Sequence, residues 1–217
     1  MDNVFLTGCD RNTEWMLEWW FENYSRYNDL PVIFADFGVS SSCRQYVKEH
    51  FAHIITFKPY EYKAWFLKPK AMIEASHRAK KVCWIDTDCH VLDNISEIFE
   101  YSKPEKLGMV QDKPWSKRRG EVWHNSGVVL IEGTPKILHN WADRIEKRPK
   151  VGDQEVLHEM VRGDDLTRMI HIEDLPNMYN WLRIQIEHDN HDSKKKKIMH
   201  WTGNKGKKII KEIMKSG

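Results

Sequence analysis

Asp86-Thr87-Asp88 is the stretch of this 217-residue chain whose chemistry is most exposed to reading. It follows the apolar run Val82-Cys83-Trp84-Ile85 and precedes Cys89-His90-Val91-Leu92. Such a run reads as a buried strand that delivers its last residues to the rim of a sheet. Two carboxylates at alternate positions there cannot leave water cheaply without a counter-charge. A divalent cation is the natural one. Hard oxygen donors select Mg²⁺ or Mn²⁺, ions that in turn bind phosphate oxygens. Taken alone, the tripeptide is also what a turn with two aspartates looks like.

Four further segments carry groups of chemical interest, each with a plainer alternative. Asn125-Ser126-Gly127 sets an amide and a hydroxyl beside a glycine that allows close backbone approach, or forms an ordinary β-bulge. Gly152-Asp153-Gln154 puts an acid and an amide at a helix start, where aspartate is also a simple cap. His200-Trp201-Thr202-Gly203 follows a strand and precedes a lysine-rich helix; a lone histidine is also a common structural residue. Trp65-Phe66-Leu67-Lys68-Pro69-Lys70 places Lys68 in an aromatic stretch before a helix, or lays a surface lysine over a buried tryptophan.

The elements that must position these groups alternate along the chain. Val4-Phe5-Leu6-Thr7-Gly8 reads as a first strand, and Asn12 or Thr13 caps a helix running to residue 27. Leu30-Pro31-Val32-Ile33-Phe34-Ala35 is a second strand, 45–51 a short helix and 54–57 a short strand. A helix over 64–79 is interrupted by Pro69 and leads to the strand 81–86. The second half continues with a strand at 107–111 and a charged, mobile loop at 112–120. Then come a strand over 123–131 interrupted at Asn125-Ser126-Gly127 and a helix over 135–147 capped by Thr134. Another helix runs from 152 or 153 to 161, strands fall at 169–172 and 198–201, and a helix at 205–214 follows. This alternation predicts a mostly parallel, three-layer α/β sheet. Ligands in such sheets bind beyond the carboxyl ends of the strands, so residues 8–10 and 86–88 are expected to face one crevice.

Composition narrows the field. Hydrophobic residues make up 41% and charged residues 30%, ordinary values for a soluble domain with one sizeable core. With 34 basic and 32 acidic residues the net charge is +2, which argues against a general nucleic-acid binder. The four cysteines form no Cys-x-x-Cys pair, which excludes a zinc ribbon and suits a reducing, cytoplasmic setting. No signal-peptide pattern follows Met1, and no apolar run reaches transmembrane length.

Taken in order, these segments resemble the GT-A-fold glycosyltransferases, in particular the family 8-like group that includes glycogenin and galactosyltransferases. The resemblance rests on Trp84-Ile85-Asp86-Thr87-Asp88-Cys89, Asn125-Ser126-Gly127-Val128, Gly152-Asp153-Gln154 and His200-Trp201-Thr202-Gly203. Leu175-Pro176-Asn177-Met178-Tyr179-Asn180-Trp181 adds to it. It implies a single α/β GT-A (Rossmann-like) domain over 1–217, with a nucleotide-binding half at 1–111 and an acceptor and donor-sugar half at 112–217. It implies a metal-dependent enzyme that moves a hexosyl or deoxyhexosyl group from a nucleotide diphosphate sugar, a UDP-sugar, to a glycan or glycoprotein acceptor. The size is similar to that of glycosyltransferase domains within larger viral proteins, so one domain of a longer protein is expected.

The same resemblance assigns roles. Asp86, Asp88 and His200 match metal ligands for Mn²⁺ (or Mg²⁺), with Thr87 between the two acids. Thr7, Gly8 and Asp10 match the segment that cradles uridine, and Lys68 a basic residue near the donor. Asn125 and Asp153 match positions that contact the donor sugar. Gln154 matches the position facing the anomeric carbon in retaining members; a glutamine is a poor nucleophile, which favours front-face return over a covalent glycosyl-enzyme. Gly203 and the lysines after it match a closing segment over the diphosphate. One departure stands out: the family has a lysine three residues beyond that glycine, and this chain has Gly206. Lys205 and Lys207 flank it, and both remain candidates for phosphate. Trp115 and Arg118 are placed either at the acceptor or in solvent. A nucleotide-sugar hydrolase, a nucleotidyltransferase or a non-catalytic nucleotide-sugar module would share the acid pair. The single glycine in Gly8-Cys9-Asp10-Arg11-Asn12 argues against a nucleotidyltransferase phosphate loop.

Overall fold

The computed structural model describes residues 1–58, 64–148, 151–163 and 165–216; the side chains of Ala64 and Trp65 lie outside this description. The expected packing of Trp65 over Lys68 therefore lies outside the described residues.

Among the described residues ten strands form in chain order: β1 (Asn3–Cys9), β2 (Val32–Asp36), β3 (His53–Thr56), β4 (Lys81–Ile85), β5 (Cys89–Val91), β6 (Leu107–Gln111), β7 (His124–Glu132), β8 (Ile172–Asp174), β9 (Trp181–Leu182) and β10 (Ile198–His200). Seven of them build one sheet in the order β3-β2-β1-β4-β7-β6-β8. All neighbours in it are parallel except β7, which runs against both β4 and β6. The sheet takes strands from both sides of residue 111.

The central strands are buried on both faces, which is why they read as unbroken apolar runs. Alternate residues feed two cores: Leu6, Ile33, Trp84 and Val129 on one face, Phe5, Phe34, Cys83 and Val128 on the other. Helices cover both faces, giving the three layers expected. A second sheet, β5-β10-β9, has His200 directly opposite Cys89, which brings His200 beside the acid pair.

Because β1 and β4 are parallel neighbours, residues 8–10 and 86–88 leave the sheet at the same edge, as expected. The reversed β7 contributes its beginning to that edge, where Asp86 N donates to Gly127 O at 2.8 Å. Its Asn125-Ser126-Gly127 stretch stays within the strand but carries the expected bulge: pairing with β6 passes from Met109–Val129 to Val110–Asn125, which leaves residues 126–128 unpaired on that side.

The helices are α1 (Leu17–Ser25), α2 (Ser41–His50), α3 (Lys68–Ser76), α4 (Lys113–Arg119), α5 (Lys136–Lys147), α6 (Asp153–Val161), α7 (Asp165–His171), α8 (Arg183–Asp189) and α9 (Gly203–Ser216). Several differ from the expectations. The turn before α1 is held by Asp10 rather than by Asn12 or Thr13: its Oδ1 accepts from Asn12 N at 3.0 Å and Thr13 N at 3.1 Å. A 3-10 turn over Glu14–Met16 intervenes, and α1 ends at Ser25. α2 begins four residues early because Ser40 Oγ accepts from Cys43 N and caps it. Pro69 does not interrupt a helix; it sits in the first turn of α3, after a 3-10 turn over Ala64–Leu67. Thr134 does not cap α5; its hydroxyl pairs with Ser76 Oγ at 3.0 Å.

Two corrections are larger. Segment 112–120 is a capped helix, not a mobile loop. Asp112 Oδ1 accepts from Trp115 N at 3.0 Å, Pro114 occupies the first turn, and Gly120 closes the helix at φ +70°. Lys117, Arg118 and Arg119 crowd its last turn, where the helix dipole favours cations. The strand expected at 169–172 is mostly helix α7, with Met169 and Ile170 exposed; strand pairing begins only at Ile172. α8 was not anticipated.

One core contact ties the fold to the acid edge. Trp141 of α5 is fully buried, and its Nε1 donates to Asp153 O at the start of α6 at 2.9 Å. Trp141→Phe removes that bond and part of the packed volume. We expect a loss of about 2–3 kcal/mol, measured as a lower urea midpoint at unchanged m-value.

Candidate active site

A cavity of about 240 Å³ opens at the edge where β1 and β4 end. Gly8, Cys9 and Asp10 form one wall, Asp86, Thr87 and Asp88 the floor, and Ser126 with Asp153 the opposite side. Gly203 and Lys207 of α9 approach from above. Gly8 is required by the approach of β2: a Cβ there would fall 2.6 Å from Ala35 O. Thr7 does not reach the cavity; it is buried and its hydroxyl has no hydrogen-bond partner among the described residues.

Lys68 is the cation of the floor, and it is not a surface lysine. Its ammonium, 2% exposed, lies 3.0 Å from Asp86 Oδ1 and 3.3 Å from Asp153 Oδ2. It also donates to Ser126 O at 2.7 Å. Burial alone would lower its pKa, but the two carboxylates outweigh burial and raise it, so the charge is retained. Asp86 is held above the usual carboxylate range by burial, with Asp88 adding to the effect and Lys68 opposing it. Trp84 Nε1 donates to Asp86 Oδ1 at 2.5 Å.

Asp88 turns the other way, toward His200, whose Nε2 lies 3.2 Å from Asp88 Oδ1. For Asp88, burial opposes ionisation, but the imidazole outweighs it and lowers the carboxyl pKa. For His200, burial disfavours the charge, but Asp88 outweighs it and raises the imidazole pKa. Donor atoms of Asp88, Cys89 and His200 all lie within 4.8 Å of one another, the only such grouping among the described residues. The Cys89 thiol is pushed far up by burial, then by the adjacent aspartates, and contacts Gly127 O; it stays protonated. The carboxylate oxygen and imidazole nitrogen that remain are a donor set suited to Mn²⁺ or Mg²⁺. Asp86, expected as a ligand, is not part of this grouping; its Oδ2 has a 3.4 Å contact to Lys68.

The remaining expected residues divide. Asn125 and Gln154 stand behind the cavity wall rather than on it. Gln154 Oε1 accepts from Asn125 Nδ2 at 3.1 Å and Ser126 N at 3.4 Å. Its Nε2 donates to Asp112 Oδ2, which also takes Asn125 Nδ2, both at 3.2 Å. Asp153 reaches the cavity, with Oδ2 accepting from Ser126 Oγ at 2.9 Å. Lys207 lines the cavity, whereas Lys205 is exposed and does not. Gly206 is sterically required: a Cβ there would overlap the carbonyl of Trp201. No side chain, lysine included, fits at 206 while α9 is seated. Asp112 and Asn180 were not singled out individually; Asp112 carried a legible cap signal, while Asn180 carried none beyond its place in a motif.

An α/β sheet with an acidic strand end, flanked by a second small sheet, is a GT-A-type fold. The family model for nucleotide-diphospho-sugar transferases matches residues 56–211, and the chain belongs to that family. It is a glycosyltransferase by class. The solved structure of the galactosyltransferase LgtC in complex with donor and acceptor sugar analogs is 16% identical, with a TM-score of 0.63 over 100% of this chain and 96% of that one. A glycosyltransferase involved in glycosylation of the major capsid of PBCV-1 is 13% identical, with a TM-score of 0.64 over 99% and 100% of the two chains. Mouse xyloside xylosyltransferase 1 is 15% identical, with a TM-score of 0.58 over 94% and 97%. At these identities the likeness is one of fold. No curated protein matches in sequence. Among the described residues, no helix is long and apolar enough to cross a membrane.

The ion cluster generates a stability prediction. Lys68→Met leaves Asp86 and Asp153 facing each other without a cation, and we expect a loss of about 3–5 kcal/mol. Adding Asp153→Asn should restore part of it, since one uncompensated charge is removed. Urea denaturation of the single and double variants measures both.

Proposed function

We propose that this chain transfers a sugar from a UDP-sugar to a glycan or glycoprotein acceptor, with a divalent cation, Mn²⁺ or Mg²⁺, held by Asp88 and His200 and assisted by Asp86. The observation that carries this reading is the 3.2 Å approach of His200 Nε2 to Asp88 Oδ1 beside a cavity that already holds Lys68 and Lys207. When bound, the cation would offset the charge developing on the departing diphosphate. Lys207 reaches the same charge from α9, and the first-turn N–H groups of that helix add partial positive charge. Gly8 and Asp10 offer the backbone and the fixed turn against which a nucleoside would lie.

The sugar would occupy the side bounded by Asp153 and Ser126. Lys68 and Ser126 hold the Asp153 carboxylate in place, so it accepts a hydrogen bond from a sugar hydroxyl rather than attacks. Gln154 is a carboxamide with its oxygen already hydrogen-bonded, which supports return of the acceptor on the face the diphosphate leaves, with retention. Asn125 acts on the sugar by holding Gln154. The strands and helices up to residue 111 carry the nucleotide side, and residues 112–217 the sugar and acceptor side together with the C-terminal segment that brings His200 and Lys207 to the diphosphate.

Calorimetry of UDP binding tests the metal reading. Wild type should bind UDP only with Mn²⁺ or Mg²⁺, and Asp88→Ala should lose that dependence while remaining folded. Metal-dependent UDP affinity at the wild-type level in Asp88→Ala sinks it. A second comparison separates the lysines. Lys207→Ala should weaken UDP binding by about tenfold, the scale of one charge-assisted hydrogen bond, and Lys205→Ala should change it by less than about twofold, as for an exposed charge.

A further inference from the structure

Asn180 lies between a 3-10 turn over Asn177–Tyr179 and β9, and it is fully buried. Both ends of its carboxamide are used. Its Nδ2 donates to Asn125 Oδ1 at 2.9 Å, an oxygen that also takes Gly127 N at 2.9 Å. That pairing fixes which end of the amide is oxygen. Asn180 Oδ1 is therefore the end that faces His200 Nδ1, at 3.0 Å. A carbonyl oxygen can only accept, so the imidazole must carry a proton on Nδ1. That leaves Nε2, 3.2 Å from Asp88 Oδ1, as the nitrogen that would give up its own proton to take a cation.

Sterics fix the same ring from another side. A Cβ at Gly127 would overlap His200 Cε1, so the imidazole packs flat against the bare backbone of β7. The ring cannot turn toward β7, and turning it over would set its C–H edge against Asn180.

We propose that Asn180 is a positioning residue that sets the tautomer and orientation of His200, and through them the strength of cation binding beside Asp88. The proposal rests on the metal reading above. Asn180 does not line the cavity; it acts on the cation through His200. Because its other end holds Asn125, which holds Gln154, the same amide ties the cation side of the site to the sugar side. Partners of this kind typically change metal affinity by roughly 10- to 100-fold when removed.

Two substitutions separate the acceptor role from a merely structural one. Asn180→Leu keeps the volume and removes both hydrogen bonds. Asn180→Asp keeps an acceptor for His200 Nδ1 but removes the donor to Asn125. Mn²⁺ affinity in the presence of UDP, read by electron paramagnetic resonance of free Mn²⁺, should fall roughly 10- to 100-fold in Asn180→Leu. It should stay within about threefold of wild type in Asn180→Asp, because the acceptor survives. Unchanged affinity in Asn180→Leu, or an equal loss in both variants, overturns the proposal. Nitrogen-15 spectra of the wild type loaded with Mg²⁺ and UDP give a reading that needs no variant to fold. His200 should keep its proton on Nδ1 and lose it from Nε2, and a ring protonated on Nε2 alone overturns the assignment. Wild type without Mn²⁺-dependent binding would instead remove the metal reading itself, an outcome distinct from Mn²⁺ dependence that ignores Asn180.

Discussion

The buried ammonium of Lys68 is the contact on which the site depends. It joins three elements: α3 supplies the lysine, the end of β4 supplies Asp86, and the start of α6 supplies Asp153. A charge in that position without both carboxylates would be expelled or neutralised. Each carboxylate without the lysine would repel the other. The cluster is stable only as a set, and setting it in place fixes where α3 and α6 begin relative to the sheet. Trp141 reinforces the same junction from the core by holding the backbone of Asp153.

Chain reversal does the rest. β7 enters the sheet against its neighbours, so the edge where other strands end also receives the beginning of a strand. Its early residues supply backbone carbonyls to Lys68 and to the amide of Asp86, and a bare Cα surface to His200. The small sheet then does by pairing what sequence distance would not suggest. β10 lies antiparallel to β5, and residue 200 arrives beside residue 88. The two acids of the motif thus divide their work, with Asp86 facing an ammonium fixed in the fold and Asp88 facing an imidazole.

Much of this was legible in the sequence. The apolar run at 82–85 announced a buried strand, and the alternation of strands and helices announced the layered sheet. Residues 8–10 and 86–88 converge because they end parallel neighbours at one edge, which the alternation predicts. What was not legible has physical reasons. The charge of 112–120 concealed its caps, since a short helix with solvated side chains looks like a loop unless Asp112, Pro114 and Gly120 are read as a set. Apolar Met169 and Ile170 imitated a strand although they face solvent. The splitting of Asp86 from Asp88 depends on where Lys68 and His200 stand in space, which no local pattern encodes. The same holds for Asn180, whose role follows from two partners at sequence separations of 55 and 20 residues.

Gly206 gives the closing helix a particular mechanical character. Its missing side chain lets α9 sit directly on the Trp201 carbonyl, one residue beyond His200. That one contact sets α9 against the backbone that follows β10, so the position of Lys207 is fixed with respect to His200 through a single glycine-to-carbonyl packing.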